Sequence, residues 1–285
     1  MMRRYTWWIA LGIALVLIAL FSLRAPWLSR KGGENLITGL STPESVAVGP
    51  DGKYYVSNLG RPGQRGDGAI KVVENRTVKD LTTGLDDPKG VAIWDGKLYV
   101  ADIDKLWRIS LSGEKELLLG PEEFPRRPLF LNDVVFDTSG NLYVSDTQLG
   151  LIFKLSPDGE AGIFADRSRF PELRGPNGLA FDREGDLLVI DFNTGKLLKI
   201  KPDGSAEVIG EGFGGGDGLV IDAEGNLYIS DYKGGKIFKR APDGSTEVIA
   251  EGLKAPADIA IDPKRSLLLV PEFNGDRLRL IKIGS

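Results

Sequence analysis

The sequence predicts an all-β fold, a six-bladed β-propeller closed by an N-terminal strand and preceded by one N-terminal transmembrane helix. Three observations carry this. Six similar windows recur with steps of 40 to 45 residues, the length of a four-stranded propeller blade. Glycine accounts for 37 of 285 residues, a surplus over the usual ~7% that goes with many tight turns and short strands. One apolar run, residues 5–23, stands apart at the amino end.

That run is the first element. Beyond Tyr5 its only polar residues are Thr6 and Ser22, and at ~1.5 Å per residue it reaches about 28 Å, the thickness of a bilayer core. Arg3 and Arg4 precede it, and Tyr5, Trp7 and Trp8 stand where an interfacial aromatic belt would. A cleaved signal peptide is the competing reading. No small-x-small site follows, and Pro26 comes directly after Ala25, so an uncleaved signal anchor is expected. A single anchor with a short basic head places the body on the periplasmic or extracellular side of the membrane. Lys31-Gly32-Gly33 reads as a linker. The expected domains are 1–33, anchor and linker, and 34–285, the propeller.

The six windows are 41–58, 86–102, 129–146, 174–191, 214–231 and 254–271. Each opens with a short apolar strand, such as Gly178-Leu179-Ala180-Phe181, and turns at Asp/Gly into a second strand, such as Asn226-Leu227-Tyr228-Ile229-Ser230-Asp231. A third strand alternates apolar and basic residues, as in Lys196-Leu197-Leu198-Lys199-Ile200. Pro-Asp-Gly at 157–159, 202–204 and 242–244 then turns into a fourth. The sixth repeat ends after its third strand. Glu34-Asn35-Leu36-Ile37-Thr38-Gly39-Leu40 resembles the fourth strand Glu247-Val248-Ile249-Ala250-Glu251-Gly252-Leu253, so the start of the body supplies the missing strand and leaves no open edge.

Composition narrows the chemistry. Residues 1–33 hold five of the 36 cations and no acid, which leaves 31 cations against 40 acids and a net charge of -9 for the body. Such a body is not a nucleic-acid binder, because phosphates are met by clustered cations. Cysteine and histidine are both absent, which excludes disulfides, thiolate nucleophiles, Cys/His zinc sites and every His-based triad. Acid–base chemistry falls to Asp, Glu, Lys or Tyr, and metals to those accepting oxygen ligands.

A propeller gathers equivalent positions around its axis. The position at the start of each innermost strand reads Glu44, Lys89, Asn132, Asn177, Asp217 and Ala257, with Pro43, Pro88, Pro176 and Pro256 fixing the register. Two carboxylates and two amides converging on one point suit a hard cation such as calcium. Any one of these residues alone reads as a turn or strand cap. A turn role favours the same residue in every blade, and here the residues differ while their neighbours stay similar. A second series, Asn58, Asp102, Asp146, Asp191 and Asp231, broken by Pro271, is uniform and reads as structural.

The body resembles the senescence marker protein, gluconolactonase and luciferin-regenerating enzyme family. Pro43-Glu44, Leu131-Asn132-Asp133, Pro176-Asn177-Gly178-Leu179 and the stretch Asp217 to Gly225 carry the resemblance. Single blades are also similar to NHL repeats, and paraoxonases and strictosidine-synthase-like proteins are more distant relatives. The resemblance implies a divalent metal in the channel, most often Ca2+ with Mg2+, Mn2+ or Zn2+ as family alternatives. It assigns the metal to Glu44, Asn177 and Asp217, and assigns Asn132 to substrate or metal. Sugar-lactonase members carry an Arg two residues before that Asn. This chain has Phe130, which points away from a sugar lactone toward a more apolar ligand.

The expected function is therefore metal-dependent hydrolysis of a small, fairly apolar lactone or ester at the channel mouth. Asp217 is the expected general base and Asn132 orients the carbonyl. Lys89 has three readings: it attracts an acidic substrate, pairs with Glu44 or snorkels at the rim. The long loop at residues 59–68 is expected to overhang the same mouth, as a lid or as a tolerated insertion. The rival reading is a non-enzymatic NHL-like propeller that binds a protein or glycan at the cell surface around a structural metal.

Overall fold

The computed structural model describes residues 35–284. The predicted transmembrane helix and linker lie outside these residues. Among the described residues no helix is long and apolar enough to cross a membrane.

The chain forms six four-stranded antiparallel sheets in sequence order. A short strand β1 (Leu36–Thr38) comes first. Blade one is β2 (Pro43–Val48), β3 (Tyr54–Asn58), β4 (Gly68–Glu74) and β5 (Thr77–Leu85). Blade two is β6 (Pro88–Trp94), β7 (Lys97–Asp102), β8 (Lys105–Ser110) and β9 (Lys115–Leu119). Blade three is β10 (Leu131–Phe136), β11 (Leu142–Asp146), β12 (Leu151–Leu155) and β13 (Ala161–Asp166). Blade four is β14 (Pro176–Phe181), β15 (Leu187–Asp191), β16 (Leu197–Ile200) and β17 (Ala206–Gly210). Blade five is β18 (Gly216–Ile221), β19 (Leu227–Asp231), β20 (Lys236–Arg240) and β21 (Thr246–Ala250). Blade six is β22 (Ala260–Asp262), β23 (Leu267–Glu272) and β24 (Arg277–Lys282), with β1 beside β24 as its outer strand. The predicted closure is thus present.

Alternation along the strands explains why the core lies between blades. Val46 and Val56 point into the cluster shared with blade six, beside Ile37, Leu269 and Leu278. Their neighbours Ala47 and Tyr55 point the other way, into the cluster with Val91, Leu98 and Val100 of blade two. A period of two therefore gives each blade two apolar faces, and each face is buried only when the next blade stacks on it. The three Pro-Asp-Gly turns end on glycines at φ of +90°, +81° and +88° (Gly159, Gly204 and Gly244), where a side chain would be strained.

The innermost strands share one irregularity. In blade one Pro43 pairs with Asn58 but Val46 pairs with Val56, a one-residue slip across Glu44 and Ser45. The same slip falls across Lys89–Gly90, Asn132–Asp133, Asn177–Gly178 and Asp217–Gly218. Blade six repeats the offset, with Pro256 bridged to Glu272 and Ala260 paired with Leu269. A bulge bends a strand and re-aims its side chains. Here it acts at the ring positions named by the sequence.

Candidate functional site

A cavity of about 210 Å³ opens at the channel mouth where the inner strands begin. All six residues expected to act there line it: Glu44, Lys89, Phe130, Asn132, Asn177 and Asp217. Thr147, Phe192, Tyr232 and Phe273 complete the wall. Ala257, the sixth ring position, is fully buried and offers no polar side-chain atom.

The ring residues are deeply buried, yet their oxygens lack partners. Seven buried side-chain nitrogen or oxygen atoms among the described residues have no hydrogen-bond partner. Four of them are Glu44 Oε2, Asn132 Oδ1, Asn177 Oδ1 and Asp217 Oδ1. Buried polar atoms are normally satisfied, so four orphans in one cavity mark a place for a ligand. Among the described residues no three His, Cys, Asp or Glu side chains form a metal-sized group. The ring instead offers two carboxylates and two amides, an all-oxygen donor set that fits a hard divalent cation.

Neighbours hold these oxygens toward the axis. Asn132 spends its amide nitrogen on Thr147 Oγ1 at 3.1 Å, and Thr147 in turn donates to the Pro176 carbonyl at 2.8 Å. The Asn132 oxygen is left without a partner, and its amide nitrogen has a second N–H beyond the one given to Thr147. Ser145 Oγ accepts the Asp133 N–H and donates to the Asn177 carbonyl, both at 2.9 Å. Ser230 does the same between the Gly218 N–H and the Ala257 carbonyl, at 2.7 and 2.8 Å. Neither serine was among the expected site residues. Their signal in the sequence is a Ser directly before Asn58, Asp146 and Asp231, where the other blades carry Ala101, Ile190 and Pro271.

One residue beyond the ring positions, Asp133 and Asp258 face deeper into the channel. Asp133 accepts the N–H of Val134 and, across to blade four, of Leu179, both at 2.7 Å. Asp258 accepts Ser45 Oγ–H at 2.5 Å. Both aspartates line a second cavity of about 440 Å³ toward the opposite mouth, walled by apolar residues such as Val46, Val91 and Leu219.

Four carboxylates thus surround the axis, with Lys89 the one cation among their electrostatic partners. Burial pushes Asp217 up from the ordinary 3.8 to about 8. Asp258 adds to this, and Lys89 and a hydrogen bond from Asn177 oppose it. Burial also raises Glu44 well above its usual range, with Lys89 pulling down and Asp217 and Asp258 pushing up. Asp258 rises to about 7 by burial, held back by Ser45 and the Ile259 N–H. Asp133 is raised by burial and then by repulsion from Asp258, against its two backbone donors. A bound divalent cation would relieve this crowding of charge.

Lys89 neither reaches the rim nor pairs with Glu44. It is 6% exposed, makes no ion pair among the described residues, and rests its ammonium 4.5 Å from the Phe130 ring centre. The loop 59–68 contributes nothing to the cavity wall. It is pinned to the turn before β6 through Gly63 N to Asp87 at 3.0 Å and Arg65 to Asp86 at 3.1 Å.

The uniform acid series is structural, as expected, with one correction. Asp191 Oδ2 accepts the N–H groups of Arg174 and Gly175 at 2.8 and 2.6 Å, clipping the strand end to the segment entering the blade. Asp102, Asp146 and Asp231 make equivalent bonds, and Asn58 Oδ1 accepts the Ser41 N–H. Pro271 does not break the series. The sixth member is Glu272, one residue later, whose longer side chain reaches the Lys254 N–H at 3.1 Å and also pairs with Arg277 and Arg279.

The family resemblance is borne out by comparison. Residues 67–270 match the model of the SMP-30/gluconolactonase/LRE-like region. No curated protein matches the sequence. A gluconolactonase from Xanthomonas campestris superposes with a TM-score of 0.70 at 20% identity, over 86% of this chain and 89% of that one. A virginiamycin B lyase from Staphylococcus aureus gives 0.64 at 13% identity, over 88% and 98%. A chain of a nidogen/laminin complex gives 0.61 at 20% identity, over 73% and 78%. At these identities the structural likenesses speak for the propeller alone. With the family match spanning most of the body, the chain belongs to the SMP-30/gluconolactonase/LRE-like family.

Proposed function

We propose that the chain is a divalent-metal-dependent hydrolase of lactonase or esterase type, acting on a small, fairly apolar lactone or ester at the channel mouth. The observation that carries this reading is the set of four unpaired buried oxygens on Glu44, Asn132, Asn177 and Asp217 around one cavity. Glu44, Asn177 and Asp217 would hold the metal, with Asn132 as a fourth oxygen donor, and calcium is the favoured ion for such a set. When bound, the ion supplies Lewis-acid stabilisation of charge growing on the carbonyl oxygen.

The chain's own groups supply the rest. Asp217 has an unpaired oxygen in the cavity and, ionised beside the metal, can accept a proton as a general base. It accepts a proton from water as that water attacks the acyl carbon. It returns the proton to the leaving oxygen as the acyl–oxygen bond breaks. The Lys89 ammonium places positive charge in the same cavity, where it favours the ionised forms of Glu44 and Asp217. Phe130, where sugar-lactonase relatives carry Arg, and the other rings of the wall favour an apolar body over a polyol. The N-terminal run would anchor the enzyme to the membrane with its body on the periplasmic or extracellular side.

The test is metal content of the purified full chain, with hydrolysis of a lactone and ester panel before chelation, after it, and after calcium is restored. Loss on chelation and recovery on restoration is the expected result. If the metal-loaded protein hydrolyses no member of the panel, the NHL-like binding propeller with a structural metal replaces this reading.

A further inference from the structure

The residue after the clip acid completes a third ring at the mouth. It reads Leu59, Ile103, Thr147, Phe192, Tyr232 and Phe273 from blade one to blade six. The aromatic members fall on three consecutive blades, so one half of the mouth is aromatic. Phe192 and Tyr232 meet edge to face at 5.9 Å and 60°, and Tyr232 meets Phe273 at 5.5 Å and 67°. Lys233 covers the first ring from outside, 4.2 Å from its centre, and donates to the Phe192 carbonyl at 3.3 Å.

Packing does not explain these rings. None of the three belongs to any of the six core clusters between blades. Each is half-buried, and each lines the cavity that holds the unpaired oxygens. Large apolar side chains facing a cavity with a few convergent polar groups mark a recognition surface. An edge-to-face run is also a geometry that one more ring can extend.

We propose that the site selects aryl substrates, with a planar aromatic group of the lactone or ester packed on Phe192, Tyr232 and Phe273 while the reacting carbonyl lies over the oxygen ring. This rests on the hydrolase reading and names its substrate class. Size agrees with it. An apolar cavity of about 150 Å³ accepts benzene, so about 210 Å³ holds one six-membered ring and a carbonyl group. Aromatic rings with two carboxylates could also cage an organic ammonium. Lys89 argues against that class. Its ammonium already occupies a cation–π position over Phe130, and together with a divalent ion on the oxygen ring it would offset the two carboxylates that an organic ammonium needs.

The test uses the calcium-loaded full chain and five probes. Calorimetry compares 3-phenylpropionate, 3-cyclohexylpropionate and benzyltrimethylammonium. Kinetics compares the methyl esters of the two acids, which share a leaving group. The phenyl acid is expected to bind about three- to tenfold tighter than the cyclohexyl acid, the range an aromatic pair contributes. Tyr232→Leu and Phe273→Leu should each erase most of that preference, with the calcium-dependent rise in melting temperature reporting that the fold and ring persist. Equal or better binding of the cyclohexyl acid overturns the proposal. So does tighter binding of the ammonium, or a preference that survives both substitutions. Ester hydrolysis without phenyl preference would leave the hydrolase reading standing and remove this one. Phenyl-selective binding without any hydrolysis would support the aryl pocket and remove the hydrolase.

Discussion

Calcium binding should be coupled to proton release, and the size of the coupling follows from the buried carboxylates. In the ion-free protein Asp217 is raised from 3.8 to about 8 and Asp258 to about 7. A folded value above the unfolded one means that folding is favoured at low pH, and that this advantage is lost as pH rises from about 4 through about 8. At about 1.36 kcal/mol per pH unit, the loss is on the order of 6 kcal/mol for Asp217 alone. The contributions of Asp217 and Asp258 do not simply add, because the rise of Asp217 already contains repulsion from Asp258. To ligate a cation Asp217 must be ionised. Binding at pH 7 should then release nearly one proton from it, and more if Glu44 also gives one up. The apparent Kd for calcium should fall about tenfold per pH unit from 6 to 8 and level off above. Titration calorimetry at pH 7 in two buffers of different ionisation enthalpy counts the protons directly. A proton release near zero, with the same Kd at pH 6 and pH 8, would refute the placement of the ion on these carboxylates.

Other outcomes follow from the same geometry. Asp217→Asn keeps one ligand oxygen but loses the base, so turnover should fall by at least a hundredfold while calcium occupancy falls less; full activity at full occupancy would sink the mechanism. Glu44→Gln removes ligand charge and should weaken calcium first, read as a smaller rise in melting temperature with added calcium. Gly178→Ala would set a Cβ 2.4 Å from the Asp217 carbonyl oxygen and 2.7 Å from the Leu219 nitrogen. It should cost about 1–3 kcal/mol and loosen calcium binding by displacing β18, which a chemical denaturation series with and without calcium would show. Removing residues 34–40 exposes the edge of β24 and strips out buried Ile37 and Leu40, a loss of about 3–6 kcal/mol. A variant that melts like the parent contradicts the closure. Fractionation with mass spectrometry of the mature N-terminus tests the anchor, and a soluble species beginning near residues 26–34 would show cleavage instead.

The fold was legible because a propeller is a local pattern repeated. Period-two alternation and Asp/Gly turns identify each strand, and six copies make the spacing unmistakable. The ring was legible for the same reason, since topology brings equivalent positions together without any need to see side chains. What supports the ring was harder to read. The Ser145 and Ser230 bonds cross from one blade to the next, so neither blade's sequence shows them. The shift from Pro271 to Glu272 was hidden because the β22–β23 hairpin is one residue longer than its counterpart in blade five, pairing Ala260 with Leu269 where Val220 pairs with Tyr228, and a Glu can do with one more methylene what Asp does in other blades. Lys89 was ambiguous because its neighbour Phe130 belongs to the next blade's entry loop, and only the packed structure puts the ring beneath the ammonium.

The two acidic series show why residue type alone cannot separate ligand from scaffold. Asp191 and Asp217 are both buried aspartates at the ends of propeller strands facing the same mouth. Asp191 is satisfied, with backbone donors on both oxygens at 2.6 to 3.1 Å. Asp217 keeps an oxygen free. A charge that accepts two or more backbone N–H groups is already stabilised by its fold and has little to gain from an ion. A charge left buried without them costs stability until something binds, and the cost becomes binding energy for whatever relieves it. Asp133 falls on the scaffold side by this criterion despite sitting next to Asn132, since both its oxygens hold the N–H groups of Val134 and Leu179. Substituting Asp133 by Asn should therefore lower stability with calcium and without it by similar amounts. Asp217→Asn should reduce the calcium-dependent part and raise the stability of the ion-free protein near pH 8. That opposite sign distinguishes a ligand from a clip without any measurement of catalysis.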